Sequence, residues 1–380
     1  MADPHADTLA LARALVACPS LTPDDAGSLA IVEGRLTALG FACERLDRGG
    51  VANLWARHGV QAPVVCFAGH VDVVPTGPAE QWSVPPFAAV ERDGFLVGRG
   101  TADMKGSVAA FVTAVERIVA ASPQHPGSLA VLLTSDEEGD ALHGTLAAVD
   151  AFRARGLRLD HCIVGEPTSS ERFGDTMKNG RRGSLSGRLV VKGIQCHVAY
   201  PERGRNPVHQ AAPALAELSQ TVWDAGNEYF GPTTFQVSNV AAGTGAPNVV
   251  PGTMEVQFNL RFSPQSPAAR LQERIHDVLD RHGLEYELTW TLSAQPFMTP
   301  EGPLVEAVRE AVTAEIGVAP SLSTSGGTSD GRFLADVADQ VVEFGPMNDT
   351  IHKIDERVAV ADLAPLSRIY ERTARSLLGL

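Results

Sequence analysis

Apolar and polar residues follow two different periods along this chain, and these periods predict where its helices and strands lie. Apolar residues recur at helical spacing from Leu9 to Val16 and again from about 26 to 39, where Gly40 ends the second helix. Short apolar runs then alternate with helical stretches. The predicted strands are 62–68, 129–134, 162–164 and 340–344, and the predicted helices are 104–120, 142–153 and 303–316. This alternation favours an α/β sheet with helices on its faces.

The middle of the chain has a different pattern. From Met254 to Phe262 apolar and polar residues alternate strictly, and residues 184–192 form a second strand of this kind. Such alternation indicates a sheet with one buried and one solvent-exposed face, and sheets of this kind are usually antiparallel. Helices are predicted at 206–224 and 267–282, which makes the segment a β-α-β-β-α-like insert. We therefore predict one domain formed by residues 1–181 and 292–380, and an inserted α+β domain formed by residues 182–291.

Length, charge and cysteine content limit the domain organisation and the function classes. A chain of 380 residues is longer than one ordinary domain of about 150 residues, so we expect more than one domain. The net charge of −14 and the absence of a basic run argue against a nucleic-acid partner. No run of 18 apolar residues and no basic leader occur, so we expect neither a membrane span nor a secretory signal. Five cysteines without a CxxC pair suit reduced thiols in a cytoplasmic protein.

Three of the apolar strands end in side chains that can bind metal or accept protons. These side chains are His70, Asp72, Asp136, Glu137, Glu138 and Glu166. In α/β proteins the functional site lies beyond the carboxyl ends of the strands, so residues from distant parts of the sequence can converge there. A single acidic loop would more often be a solvated turn. Three independent endings of this kind favour one shared site.

Asp103 and His352 add to this candidate site, and both His70 and Asp103 also have a simpler interpretation. His70 and Asp72 are two residues apart, which suits a metal-bound imidazole that donates its other N–H to a carboxylate. The alternative is a core histidine beside a paired acid. Asp103 precedes a helix in the stretch GRGTADMKG, where it could cap the helix or bridge two cations. That stretch lacks the G-K-[ST] ending of a phosphate loop.

This donor set suits a dinuclear hydrolytic centre. It is too rich in oxygen for a structural zinc site and too small for a calcium cage. Two divalent cations would be balanced by Asp103, Glu138, Glu166 and one hydroxide, with two neutral imidazoles completing the set. Glu137 then remains as a carboxylate that is not needed as a ligand. A water activated by metal needs a nearby proton acceptor, and Glu137 fits that role.

The motifs that carry these residues resemble the dinuclear-zinc deacylase and carboxypeptidase superfamily, which includes aminoacylases and acetylornithine deacetylases. The matching stretches are GHVDVVP, GRGTADMKG, TSDEEGD, GEP and IHK. Longer stretches are similar to the succinyl-diaminopimelate desuccinylase family within it, namely residues 19–27, 178–184, 193–201, 248–252, 325–333 and 345–353. The resemblance implies a zinc-peptidase-like catalytic domain with a mixed, mostly parallel sheet flanked by helices. It also implies that the insert is a dimerisation or lid domain with an antiparallel sheet.

The resemblance assigns the metal ligands individually. It implies that one zinc ion takes His70 and Glu166, that the other takes Glu138 and His352, and that Asp103 bridges them. Cobalt is an alternative at one or both positions.

The resemblance also assigns catalytic roles outside the metal ligands. Glu137 is the implied general base, and Asp72 is the implied partner that supports the ligands. His197 would reach across a homodimer to stabilise the oxyanion of the reaction. Without the resemblance, His197 would be interpreted as an exposed loop histidine.

The implied substrate is N-succinyl-L,L-2,6-diaminopimelate, a small anionic N-acyl amino acid. The candidate binding residues are Arg181, Arg182, Ser184, Tyr200, Asn248, Arg261, Gly327, Thr328 and Asn348. For the arginines, a surface salt bridge is the simpler alternative.

Three departures keep other substrates open. Cys196 stands where the desuccinylases more often have glycine, Pro247 stands where a second asparagine is frequent, and 202–205 replaces their usual His-Leu-Ala-Asp-like run. The Arg-Gly element in 202–205 is nearer to acetylornithine deacetylases. An acetylornithine deacetylase, a related deacylase or a dipeptidase is therefore the alternative. A catalytically dead dimeric binding protein is disfavoured, because no ligand and no general base is missing.

Overall fold

The computed structural model describes residues 4–380. Within them the α-helices are α1 Pro4–Val16, α2 Ser28–Ala38, α3 Gly106–Ala121, α4 Thr145–Arg155, α5 Pro207–Gln220, α6 Ala268–Arg281, α7 Pro303–Ile316, α8 Gly331–Leu334 and α9 Val360–Leu378. The strands are β1 Ala42–Arg45, β2 Asn53–His58, β3 Val64–His70, β4 Val90–Arg92, β5 Phe95–Val97, β6 Ser128–Thr134, β7 Leu159–Val164, β8 Thr176–Lys178, β9 Gly180–Arg181, β10 Gly183–Lys192, β11 Cys196–His197, β12 Thr234–Ala242, β13 Val249–Val250, β14 Thr253–Phe262, β15 Tyr286–Ala294, β16 Phe297–Met298, β17 Ser321–Ser323, β18 Ala338–Glu343 and β19 Arg357–Ala359.

The chain forms two compact units. The first comprises the residues up to Gly180 together with Met298–Ser323 and Ser329–Leu380, and the second comprises Arg181–Phe297 and Thr324–Thr328. The predicted insert, residues 182–291, lies inside the second unit.

The first unit is built on an eight-stranded sheet in the order β1-β2-β6-β3-β7-β18-β8-β17. Its centre is parallel, because β3 pairs in parallel with both β6 and β7, and β7 pairs in parallel with β18. At one edge β2 pairs antiparallel with β6 and β1 with β2. The predicted mixed, mostly parallel sheet is therefore confirmed. The central strands are buried along most of their length, as parallel strands covered on both faces must be.

Helices α1, α3 and α9 supply much of the core against this sheet. Phe67 of β3 stacks on Phe111 of α3 at a centroid distance of 5.6 Å, and Tyr370 of α9 meets Phe67 edge-on at 5.5 Å. The Tyr370 hydroxyl donates to the Phe344 carbonyl at 2.6 Å, which satisfies its one polar group. Each such buried ring contributes about 1.5–3 kcal/mol of hydrophobic stabilisation. This packing fixes β3, whose last residue is His70.

The second unit contains a four-stranded antiparallel sheet in the order β12-β14-β10-β15. The alternation predicted for β14 is confirmed, since its apolar side chains are buried beside those of β10. Helices α5 and α6 contribute Leu218, Leu271 and Ile275 to the same cluster. The predicted β-α-β-β-α-like order leaves room for β12, but no range was predicted for β12 or β15, whose side chains are mostly exposed.

Among the helices of residues 4–380, none has both the length and the apolar composition that crossing a membrane requires.

Candidate metal centre

The carboxyl ends of three parallel strands bring the predicted ligands together. His70 ends β3 and lies directly opposite Thr134, the last residue of β6. On the other side of β3, Ala68 pairs with Val164, the last residue of β7. The two loops that follow β6 and β7 carry Glu138 and Glu166, so these side chains leave the sheet at the same edge as His70. The convergence expected from the sequence is thus observed.

The residue after Asp103 packs against two glycines at this edge. Asp103 lies in a wide helical turn, Thr101–Lys105, just before α3, and Met104 follows it. A Cβ atom at Gly69 would overlap Met104 Cε, and one at Gly165 would lie 2.7 Å from the same atom. The Met104 side chain therefore fills the space that a side chain at either position would need. Because these glycines directly precede His70 and Glu166, Met104 lies beside both segments.

Asp103 faces a different histidine with each of its oxygens. Its Oδ1 is 3.2 Å from His70 Nε2, and its Oδ2 is 3.2 Å from His352 Nε2. His70 Nε2 is also 3.9 Å from Glu166 Oε1, and His352 Nε2 is 3.1 Å from Glu138 Oε1. The five predicted ligands thus form two groups that share one carboxylate. This is the arrangement that a bridging ligand requires.

The donor atoms fit two divalent cations. In each of the groups His70–Asp103–Glu166 and Asp103–Glu138–His352, one ligand atom per residue lies within 4.8 Å of the others. Glu166 Oε1 is buried and accepts no hydrogen bond, which is costly unless a cation or a donor satisfies it. Imidazole and carboxylate ligands together suit zinc and other first-row transition metals. Glu137 is close to His70 and Glu138 in a third group of this kind.

The electrostatics of the site favour positive charge. Hydrogen bonds to Asp103 and Glu138 raise the pKa of His352 to about 10. Burial opposes protonation of His70, but Asp103, Asp72 and Glu137 outweigh it and raise the pKa of His70 well above its usual value. Burial also disfavours the charged form of Asp103, yet the two histidines hold the pKa of this carboxyl below its usual range. The carboxylates that raise the pKa of the two imidazoles would equally attract metal ions, whose binding displaces protons from such ligands.

Asp72 supports the ligands in a way that differs in part from the prediction. The His70 Nδ1 atom is 2.9 Å from the Asp72 carbonyl oxygen and 3.6 Å from its carboxylate, so the carbonyl is the nearer acceptor. The Asp72 carboxylate instead accepts the backbone N–H groups of Glu137 at 3.3 Å and Glu138 at 3.1 Å. Asp72 thus links the loop after β3 to the loop after β6.

Glu137 lies beside the cluster in an environment that favours its protonated form. Burial is the main cause of a pKa well above the usual value for this carboxyl, and Asp330, Glu138 and Asp103 add to it. His70 acts in the opposite direction.

Asp330 is a buried residue to which sequence reasoning assigned no role, although it lies in the matched stretch 325–333. Thr145 donates to it at 2.6 Å, and burial raises the pKa of Asp330 to about 6.

Asp136, the third acid of the loop after β6, is turned away from these groups. Its Oδ2 accepts the backbone N–H of His143 at 3.1 Å. This supports the end of the loop, which is the role expected of an acid in a turn.

The candidate substrate residues belong mainly to the second unit, where they form two sets. In the first set, His197 is in β11 and Tyr200 follows it, with ring centroids 5.8 Å apart. The backbone of the adjacent Val198 donates to the Asn248 carbonyl at 3.0 Å. These three candidates therefore lie on one small β-ribbon.

The second set surrounds the start of β10. Ser184 lies opposite Arg261 of β14, and Asn259 donates to the Ser184 hydroxyl at 3.0 Å. Arg181 donates to the Ser325 carbonyl at 3.0 Å, close to Gly327 and Thr328 in sequence. The remaining second-unit candidate, Arg182, is half-buried before β10.

Asn348 is the candidate that belongs to the first unit. Its backbone N–H donates to the Ser169 carbonyl at 3.0 Å. The roles of all these residues in substrate binding remain predictions.

The fold and the shared-carboxylate cluster define a metal-dependent hydrolase. Residues 66–376 match the model of peptidase family M20/M25/M40, and the chain belongs to this family. The chain is 60% identical over 371 residues to a protein named succinyl-diaminopimelate desuccinylase from Dechloromonas aromatica (strain RCB), with 98% of each chain covered. It is 61% identical to the protein of that name from Aromatoleum aromaticum, covering 98% of this chain and 97% of the relative. The resemblance inferred from the motifs is thereby confirmed.

Solved structures agree on the fold. An M20 family metallo-carboxypeptidase from Sulfolobus solfataricus has a TM-score of 0.82 at 17% identity, covering 98% of this chain and 100% of its own. A dinuclear metal-binding peptidase of the M20 family from Bacillus subtilis has a TM-score of 0.75 at 16% identity, covering 99% of this chain and 98% of its own. The predicted zinc-peptidase-like architecture is confirmed at the level of the fold.

The contacts of Asp72 generate a prediction about metal affinity. Each oxygen of Asp72 accepts one N–H, from Glu137 or from Glu138. In Asp72→Asn one of these oxygens becomes an N–H₂ group, which leaves one of the two backbone N–H groups without its acceptor. We expect zinc affinity to fall about 10–100-fold, as is usual when a group that supports a ligand is altered. Competition between the metal-free protein and a chromophoric chelator would measure the loss.

Asp136→Asn is the matched control, because Asp136 is also buried, lies in the loop that carries Glu137 and Glu138, and accepts a single backbone N–H. This variant should be less stable to urea and should keep its zinc affinity. Equal zinc affinity in Asp72→Asn and the unaltered protein would contradict the role given to Asp72.

Proposed function

We propose that this protein hydrolyses the amide bond of N-succinyl-L,L-2,6-diaminopimelate and releases succinate and L,L-2,6-diaminopimelate. The observation that carries the proposal is full-length identity of about 60% to proteins with that activity in their names, combined with a complete ligand set. The ligands are His70 and Glu166 for one metal ion and Glu138 and His352 for the other, with Asp103 shared. We propose zinc in both positions, with cobalt as a functional replacement.

Glu137 is proposed to carry the proton of the reaction. When bound, the two cations supply Lewis acidity towards the substrate carbonyl and lower the pKa of water. Glu137 accepts the proton that the attacking water loses and returns it to the leaving amine. An elevated pKa suits a group that must hold a proton between these two events. The Asp72 carboxylate accepts the backbone N–H of Glu137 and so holds the backbone of Glu137 in position.

His197 is proposed to donate a hydrogen bond to the developing oxyanion. The backbone N–H of Ala199 donates to His197 Nδ1 at 3.0 Å. A neutral ring must therefore carry its proton on Nε2, which leaves that N–H as a donor. The side chain is exposed in the single chain, as a group must be if it serves the site of a partner subunit.

The second unit offers a surface for the proposed homodimer. Strand β12 is at the edge of its sheet, and its side chains from Gln236 onwards are exposed. Among them are Val237 and Val240, which are 38% and 57% exposed. An exposed edge strand with apolar side chains is a template for pairing with another strand. We propose that two copies of the chain pair along β12.

We propose that the anionic substrate is held by local positive charge in an otherwise acidic protein. Arg181, Arg182 and Arg261 are the candidate clamps for carboxylate, because a guanidinium can bind one with two parallel hydrogen bonds. The neighbouring candidates Ser184, Tyr200, Asn248, Gly327, Thr328 and Asn348 supply hydroxyl, amide or backbone donors.

Packing accounts for the glycine in one of the departures that favoured other deacylases. A Cβ atom at Gly204 would overlap Cys196 Sγ and lie 2.7 Å from the Ile194 carbonyl oxygen, so glycine is the residue that fits at position 204. This local steric reason for the glycine weakens the argument that the Arg-Gly element indicates an acetylornithine substrate.

Substrate identity can be tested with two compounds on one metal-loaded sample. We expect kcat/KM for N-succinyl-L,L-2,6-diaminopimelate to exceed that for N-acetylornithine by about 10⁴-fold, because sites built to bind a polar group reject ligands that lack it. Metal content measured on the same sample excludes incomplete loading as the cause of a low rate. A preference for N-acetylornithine would overturn the proposed substrate and leave the reaction class intact.

Glu137→Gln separates proton transfer from metal binding. Because Glu137 is not assigned to a metal, the variant should bind two zinc ions per chain while kcat falls by about 10²–10⁴-fold. Asp140→Asn, an exposed acid of the same loop, should retain full activity. A fully active Glu137→Gln protein would remove Glu137 from the mechanism.

The proposed contribution of His197 to the partner's site can be tested by complementation. His197→Ala and Glu137→Gln dimers should each be nearly inactive, and hybrids of the two contain one site with both groups intact. After exchange of subunits, a 1:1 mixture should recover about one quarter of the activity of the unaltered dimer, since half of the dimers are hybrids with one working site. No recovery, with hybrid formation verified by native mass spectrometry, would restrict His197 to its own subunit.

A further inference from the structure

A buried ion pair lies directly behind the metal-ligand cluster. Arg99 Nη1 is 2.7 Å from Glu356 Oε2, and the two side chains are 2% and 1% exposed. A buried pair seldom stabilises a fold more than apolar side chains of the same volume would. Its presence is better explained by what it holds in place.

Glu356 holds the backbone of the shared ligand. Its second oxygen, Oε1, accepts the N–H of Ala102 at 3.0 Å and that of Asp103 at 3.1 Å. These two N–H groups begin the wide turn before α3, where regular helical hydrogen bonding is not available to them. The carboxylate therefore fixes the turn from which the Asp103 side chain projects.

Arg99 reaches the two other segments that carry ligands. Its Nη1 donates to the carbonyl of Lys353 at 3.1 Å, one residue after His352. Its Nη2 donates to the carbonyl of Pro75 at 3.3 Å, in the segment that follows Asp72. A planar guanidinium presents its donors in a fixed fork, so one side chain can set the spacing of both segments.

The segment around His352 needs such an anchor. His352 has a φ of 60°, in the left-handed region that residues other than glycine seldom adopt. A residue holds this conformation only when its surroundings impose it. The contact of Arg99 with the next carbonyl is one such constraint.

We propose that Arg99 and Glu356 form a positioning pair that sets the separation of the two metal sites by holding the segments of His70, Asp103 and His352 together. Neither side chain belongs to the two groups of proposed ligands. The pair acts through backbone contacts on the ligands, so its loss changes the geometry of the centre. This inference rests on the metal centre of the proposed function.

Glu356→Gln is the decisive variant. Glutamine keeps the shape of the side chain, but its amide cannot accept from Arg99 and from the two N–H groups at once. We expect zinc affinity of the metal-free chain to fall about 10–100-fold. The visible absorption of the cobalt-loaded chain should also change, because these bands report ligand geometry.

Arg99→Lys is the second variant, because lysine keeps the positive charge but lacks the planar guanidinium with its fixed set of donors. This variant should also lower zinc affinity and change the absorption spectrum of the cobalt-loaded chain.

Glu371→Gln supplies the control. Glu371 of α9 accepts from Arg117 of α3 at 2.6 Å and from Arg375 of its own helix at 3.0 Å, and neither arginine lies next to a proposed ligand. It should lower the free energy of unfolding in urea without changing zinc affinity or the cobalt spectrum.

The outcomes separate this inference from the proposed function. Folded Glu356→Gln and Arg99→Lys chains with unchanged zinc affinity and cobalt spectrum would overturn the positioning role. Failure of both variants to fold would also overturn it, because the pair would then serve folding. If the unaltered chain binds no zinc, the proposed metal centre fails first, and this inference with it.

Discussion

The shared position of Asp103 is the constraint on which the rest of the site depends. One carboxylate faces two histidines at equal distances of 3.2 Å, so the segments that carry His70 and His352 must both meet the turn before α3. Parallel pairing of β3 with β6 and β7 brings the other proposed ligands to the same edge. The parallel centre of the mixed sheet thus lets residues from distant parts of the sequence meet there.

Placing several carboxylates at a buried edge of the sheet has an energetic cost, which differs from one carboxyl to the next. Burial alone would favour neutral carboxyls, as it does for Glu137, Glu166 and Asp330. The two histidines counter this at Asp103, because their contacts lower the pKa of its carboxyl. Metal binding and proton release are therefore coupled at this site, since a cation replaces the same positive charge.

Sequence patterns predicted the parts of this molecule that follow local rules. Strands that end in ligands, the alternation of β14 and the helix from Pro303 to Ile316 could all be recognised from spacing alone. Strand β2 carries Arg57 and His58 and pairs antiparallel with β6, which no local pattern indicates. The same holds for contacts across long stretches of sequence, such as Glu356 with the N–H groups of Ala102 and Asp103. The choice of the Asp72 carbonyl over its carboxylate as the acceptor for His70 depends on three-dimensional geometry alone.

The packing of Met104 against two glycines has a consequence for how such a centre can be reproduced. Gly69 and Gly165 contribute no donor atom, yet a methyl group at either position would meet the end of the Met104 side chain, which would have to move. A graft of the five proposed ligands onto another α/β scaffold should therefore carry both glycines and Met104 as well, because each of these three residues directly adjoins a proposed ligand in the sequence.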